Sequence, residues 1–161
     1  MKVLVVEDEI PKRESIAEVI TNIGFECSID FAMSVRSAIK LLRDENFDFI
    51  VLDMSLPTFD VTEDEFGGRP QGFGGVEVIR YLEREEVVIP IAVVTAYEAF
   101  SIAGESDGSS VDKEVTLAEL SEDLRNEFFA YDISVIKYDT VVDDWKNLLS
   151  SVINNLKRDS D

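Results

Sequence analysis

The chain has 161 residues, 45% hydrophobic and 30% charged, and its 15 Lys+Arg against 34 Asp+Glu give a net charge of −19. It holds no histidine and one cysteine, Cys27. This excludes a disulfide framework, Ser-His-Asp or Cys-His catalysis within the chain, an imidazole-built zinc site and a phosphohistidine of its own. Nucleic acid and anionic membranes, which bind through basic patches, are not expected partners of so acidic a surface.

The first apolar run, Val3–Val6, ends at Glu7-Asp8-Glu9. It is too short for a signal peptide, and no stretch approaches the ~18 apolar residues of a membrane span. A cytoplasmic protein is expected. Val3–Val6, Phe47–Leu52 and Val87–Val94 read as strands buried on both faces, and Ile133–Ile136 as another strand. Glu26–Phe31 alternates polar and apolar residues, as a half-exposed edge strand does.

Helical periodicity falls between these runs. After Pro11, Ile16, Val19, Ile20 and Ile23 form one stripe, and Gly24 is placed to end it. Ser34 is positioned to cap a helix carrying Val35, Ala38, Ile39 and Leu42. Val76, Ile79 and Leu82 form a shorter stripe. Thr116 and Glu119 read as a capping box before Leu117, Leu120, Leu124 and Phe128. Trp145, Leu148, Leu149, Val152, Ile153 and Leu156 mark a last amphipathic helix.

The order βαβαβαβαβα predicts an α/β fold, a doubly wound parallel sheet with helices on both faces. Two segments break the rhythm, about 58–74 and 99–115, and both read as long surface loops. Gly67–Gly75 lacks the Gly-Lys-Ser/Thr ending of a phosphate-binding loop. The position of 58–74 suggests a lid or partner-binding element over Asp53. The expectation is a single domain spanning 1–161 with these two insertions.

Glu7 and Asp8 follow the first strand, Asp53 ends the third, Thr95 the fourth and Lys137 the fifth. In a parallel sheet those ends share one edge, where open α/β sheets bind ligands. Carboxylates brought together there repel unless a cation bridges them. With no imidazole and no thiolate pair, the oxygen ligands favour Mg²⁺ over Zn²⁺. An aspartate beside Mg²⁺ is able to attack a phosphoryl group; Lys137 is placed to pair with the resulting charge and Thr95 to hydrogen-bond to it.

Four segments in this order, Val5-Val6-Glu7-Asp8-Glu9, Ile50-Val51-Leu52-Asp53-Met54-Ser55-Leu56-Pro57, Val93-Val94-Thr95-Ala96 and Val135-Ile136-Lys137, resemble the receiver domain of bacterial response regulators. The resemblance implies a flavodoxin-like five-stranded sheet of order 2-1-3-4-5. It also implies Asp53 as phosphoacceptor and Mg²⁺ ligand, with Asp8 bound to the metal directly, Glu7 through water and Ser55 through its backbone carbonyl. Thr95 becomes the switch hydroxyl, Ala96 leaves room for the phosphoryl group, and Lys137 holds it.

The function implied is a stand-alone receiver, charged by a histidine kinase or phosphotransfer protein and signalling by protein association. Ser134 and Tyr138 stand where family members usually carry an aromatic residue and a proline. They motivate an alternative, a receiver-like interaction module without phosphorylation-dependent switching. Aspartate-dependent phosphatases resemble a DxD pattern; Ser55 stands at its second acid, so a turnover enzyme is not expected.

Overall fold

The computed structural model describes residues 1–60, 74–96, 100–102 and 113–160. Its elements are β1 (Lys2–Val6), α1 (Ile10–Thr21), β2 (Ser28–Ala32), α2 (Val35–Asp44), β3 (Phe49–Leu52), α3 (Gly74–Arg84), β4 (Ile91–Thr95), β5 (Phe100–Ile102), β6 (Lys113–Val115), α4 (Leu117–Glu127), β7 (Ile133–Lys137) and α5 (Asp144–Ser160). Five strands form a parallel sheet in the order β2-β1-β3-β4-β7. With β7 as the fifth strand of the main sheet, this is the expected 2-1-3-4-5 arrangement.

Alternation along the strands divides the core in two. Leu4, Val6, Ile50, Leu52, Ile91 and Val93 face a layer with residues from α2, α3 and α4. Val3, Val5, Phe49, Val51, Ala92 and Val94 face Ile16, Val19 and Ile20 of α1 and Trp145, Leu149 and Ile153 of α5. Each fully buried aliphatic side chain contributes about 1.5–3 kcal/mol over its exposed state. The central strands β1, β3 and β4 are apolar on both faces because helices cover both. The edge strand β2 keeps a half-exposed surface, with Phe31 45% exposed.

Local chemistry starts the helices where the sequence indicates. Ser34 accepts the Ser37 amide at 3.1 Å and opens α2. Thr116 and Glu119 form a reciprocal capping box that opens α4. Pro11 sits in the first turn of α1, where its missing N–H costs nothing. Gly24, at φ +92°, supplies a left-handed residue between α1 and β2.

Two expectations are corrected. The run Val87–Val94 is not all strand: Val87 and Val88 are exposed and β4 begins at Ile91. The chain leaves α3 through Glu86 at φ 56°, and the Val87 amide donates to the Leu82 carbonyl, so the first valines belong to the turn. The segment 99–115 is not only loop: β5 and β6 pair antiparallel, with Ser101 opposite Glu114. Two three-residue runs are too short for a convincing period-2 signal, and their pairing is decided by the backbone ladder they form. Residues 61–73, which hold most of the glycine-rich insertion and the suggested lid, lie outside the described residues, as do 103–112. Among the described residues no helix is long and apolar enough to cross a membrane.

Candidate functional site

Three strand ends assemble the site by backbone hydrogen bonding. The Asp53 amide donates to the Val6 carbonyl at 3.0 Å, and the Glu7 amide donates to the Ala32 carbonyl at 2.9 Å. These bonds extend the β2-β1-β3 ladder one residue beyond its strands and bring Glu7 and Asp53 onto one rim. One carboxylate oxygen from each of Glu7, Asp8 and Asp53 lies within 4.8 Å of the others. Glu7 is 1% exposed and Asp53 7%, while Asp8 is half-buried.

A buried lysine completes the group. Lys12, in the first turn of α1, is 2% exposed; its Nζ stands 2.6 Å from Glu7 Oε2 and 3.1 Å from Asp53 Oδ1. The ammonium also lies 5.4 Å from the centre of the Tyr138 ring, which in turn packs 4.9 Å from Trp145. Lys12 was not singled out in the sequence, although a signal was there. It is four residues before Ile16 and therefore shares the apolar stripe of α1, where a charge needs a buried partner.

Burial pushes the Glu7 carboxyl up to about 7; Lys12 pulls it down and Asp53 pushes it further up. Burial also raises Asp53, against the pull of Lys12 and of the Met54 amide, which donates to Oδ1 at 2.9 Å. Burial disfavours the Lys12 ammonium, but Asp53 and Glu7 outweigh it and hold the amine above its ordinary value. One cation thus serves two buried acids, and the cluster keeps unmet negative charge.

The donor set fits a hard divalent cation. Its ligands are carboxylate oxygens, and among the described residues buried Glu7 Oε2 has no partner besides the Lys12 ammonium. Ser55 is half-buried two residues after Asp53.

Thr95 is buried at the end of β4, opposite Lys137 in the β4–β7 register. Lys137 is exposed; nearby Asp139 is held below its ordinary value chiefly by the Val141 and Val142 amides that donate to it, with a smaller pull from Lys137. Ala96 is exposed just beyond Thr95. Among the described residues, the ammonium paired with Asp53 is that of Lys12.

Helix α3 starts in close approach to the segment after β3. The Gly75 amide donates to the Met54 carbonyl at 3.0 Å. A Cβ on Gly75 would collide with the Asp53 carbonyl oxygen and Met54 Cε, and one on Gly74 would lie 2.7 Å from the Leu56 carbonyl oxygen. These two glycines let α3 start directly against the Asp53–Leu56 segment, a role not evident from a glycine-rich loop.

Comparison with known proteins agrees with this architecture. The chain matches the model of the response regulator receiver domain over residues 3–125. It belongs to that family, the receiver domains of two-component signalling. It is 26% identical over 160 residues to the uncharacterized protein y4jR of Sinorhizobium fredii, covering 98% of this chain and 100% of that protein. It is 28% identical over 139 residues to the Detocs response regulatory protein DtcB of Vibrio alginolyticus, covering 85% of this chain and 88% of that one.

Among solved structures, the fold is similar to the response regulator TrrA of Thermotoga maritima in complex with Mg²⁺-BeF, with TM-score 0.58 and 21% identity over 96% of this chain and 97% of that one. It is also similar to the signal receiver domain of the putative Luxo repressor protein of Vibrio parahaemolyticus, with TM-score 0.59 and 18% identity over 98% of this chain and 90% of that one.

Proposed function

We propose that this receiver accepts a phosphoryl group on Asp53 from a histidine kinase or a phosphotransfer protein, in the cytoplasm, and signals by associating with another protein. The observation that carries this reading is the placement of the Asp53 carboxylate at the end of β3, within 4.8 Å of the Glu7 and Asp8 carboxylates.

Asp53 Oδ1 accepts the Met54 amide and faces Lys12, so Oδ2 is the oxygen we assign to attack. The new bond joins Oδ2 to phosphorus; the bond from phosphorus to the donor's imidazole nitrogen breaks, and the imidazole leaves with a proton from solvent. Glu7, Asp8, Asp53 and the Ser55 carbonyl would hold Mg²⁺, which when bound neutralises charge on the phosphoryl oxygens. The Thr95 hydroxyl, buried at the neighbouring strand end, is the group proposed to follow phosphorylation. Lys137, exposed on the same edge, is proposed to pair with the phosphoryl oxygens once they are present.

Association with protein rather than nucleic acid is supported by the net charge of −19. The stand-alone reading is supported by y4jR, which is matched over its whole length. The position of Ser55 supports a phosphoacceptor over a hydrolase, because no second acid stands two residues after Asp53. A second reading, an interaction module without switching, is favoured by Ser134, which offers no ring to reorient, and by Tyr138, which is packed against Trp145.

Intact-mass measurement with Mg²⁺ and a small acyl-phosphate donor tests the acceptor. One phosphoryl group is expected on wild type and none on Asp53→Asn. No incorporation into wild type, or equal incorporation into the variant, would overturn the assignment. For the second reading, a phosphoryl mimic that changes partner affinity more than about tenfold, ~1.4 kcal/mol, rules it out.

A further inference from the structure

The geometry points to Lys12 as a tethered counter-ion of the acid pocket that sets how tightly the pocket takes a divalent cation. This rests on the reading of Glu7, Asp8 and Asp53 as cation ligands. Three observations carry it. Lys12 Nζ stands 2.6 Å from Glu7 Oε2 and 3.1 Å from Asp53 Oδ1, so the ammonium contacts two of the three acids directly. The side chain is 2% exposed, so little water screens it. Among the described residues no donor other than the Lys12 ammonium reaches Glu7 Oε2, so its withdrawal frees that oxygen for a cation.

The consequence is electrostatic. Three ionised acids and one ammonium carry a formal −2, against −3 for the acids alone. A divalent ion entering the pocket meets a smaller opposing charge and a like charge that has to move aside. Removal of the ammonium therefore strengthens cation binding while weakening the metal-free fold. The displaced lysine leaves Tyr138, whose ring lies 5.4 Å from Nζ and packs 4.9 Å from Trp145, so Trp145 emission reports the exchange.

The test is a magnesium chloride titration of the intact protein, followed by Trp145 emission and by calorimetry. Lys12→Met is expected to bind Mg²⁺ at least tenfold more tightly than wild type, and Lys12→Arg within threefold of wild type. In wild type, acylation of the Lys12 amine by a succinimidyl ester, read by peptide mass, is expected to speed up at least threefold when Mg²⁺ is added. That second measurement decides the matter if Lys12→Met does not fold. Lys12 acylation that ignores Mg²⁺, or a Lys12→Met affinity equal to or weaker than wild type, overturns the role of Lys12 and leaves the ligand assignment standing. No saturable Mg²⁺ binding to wild type or to either variant overturns both.

Discussion

Glu7 is the residue where burial and charge conflict most. Its carboxyl is raised from 4.5 to about 7, chiefly by burial. The folded protein therefore holds a proton there that the unfolded chain has already released, in the window between pH 4.5 and about 7. Stability contributed by that proton is present below the window and falls as pH rises through it. Without added divalent cation, wild type is expected to lose about 1–3 kcal/mol of unfolding free energy relative to Glu7→Gln between about pH 5 and about pH 7.5. Urea titrations at several pH values measure the difference; parallel profiles for the two proteins would mean Glu7 is not held protonated by its surroundings. A comparison with the Lys2–Asp30 and Arg80–Glu127 pairs sets the scale. Those pairs are solvent-exposed and contribute little, whereas the buried acids sit where each unmatched charge is costly.

At the level of elements, the site depends on how closely α3 approaches the segment after β3. Gly75 donates to the Met54 carbonyl at 3.0 Å, and its missing Cβ leaves the space that the Asp53 carbonyl oxygen occupies. Neither contact is with a flexible side-chain end alone, so an added methyl forces backbone to move. Gly75→Ala is expected to cost about 1–3 kcal/mol of stability and to slow phosphorylation of Asp53. Denaturant unfolding and the intact-mass rate check the two effects together. A stable variant with an unchanged rate would show that α3 yields without disturbing the acceptor. Helices α2 and α4 begin at their own capping boxes, and their apolar faces cover the opposite side of the sheet from α1 and α5.

Over the whole molecule, the excess of acids acts as self-repulsion. A net charge of −19 on 161 residues opposes compaction at low ionic strength. Raising sodium chloride from about 10 mM to about 200 mM shortens the screening length from ~30 Å to under ~10 Å. The thermal unfolding midpoint is expected to rise by about 3–6 °C over that range. A scanning-calorimetry series in sodium chloride, free of divalent ions, measures it. A flat or falling midpoint would mean that local ion pairs, rather than overall repulsion, dominate the salt response.

Element order, the strand-end positions of Glu7, Asp8, Asp53 and Thr95, and the caps at Ser34 and Thr116 were all readable from the chain alone. Each follows from near-neighbour rules: apolar period, cap chemistry, and the fact that a parallel sheet gathers every strand's C-terminal end on one edge. The β5–β6 ribbon was not readable, because pairing of three-residue strands depends on a partner more than ten residues away. Nor was it readable that Lys12 turns into the acid pocket while Lys137, ending the edge strand β7, stays exposed near Asp139. A lysine's long stem reaches in several directions from one backbone position. Only the seating of α1 against β1, which leaves that side chain 2% exposed beside Glu7 and Asp53, selects the buried carboxylates as its partners.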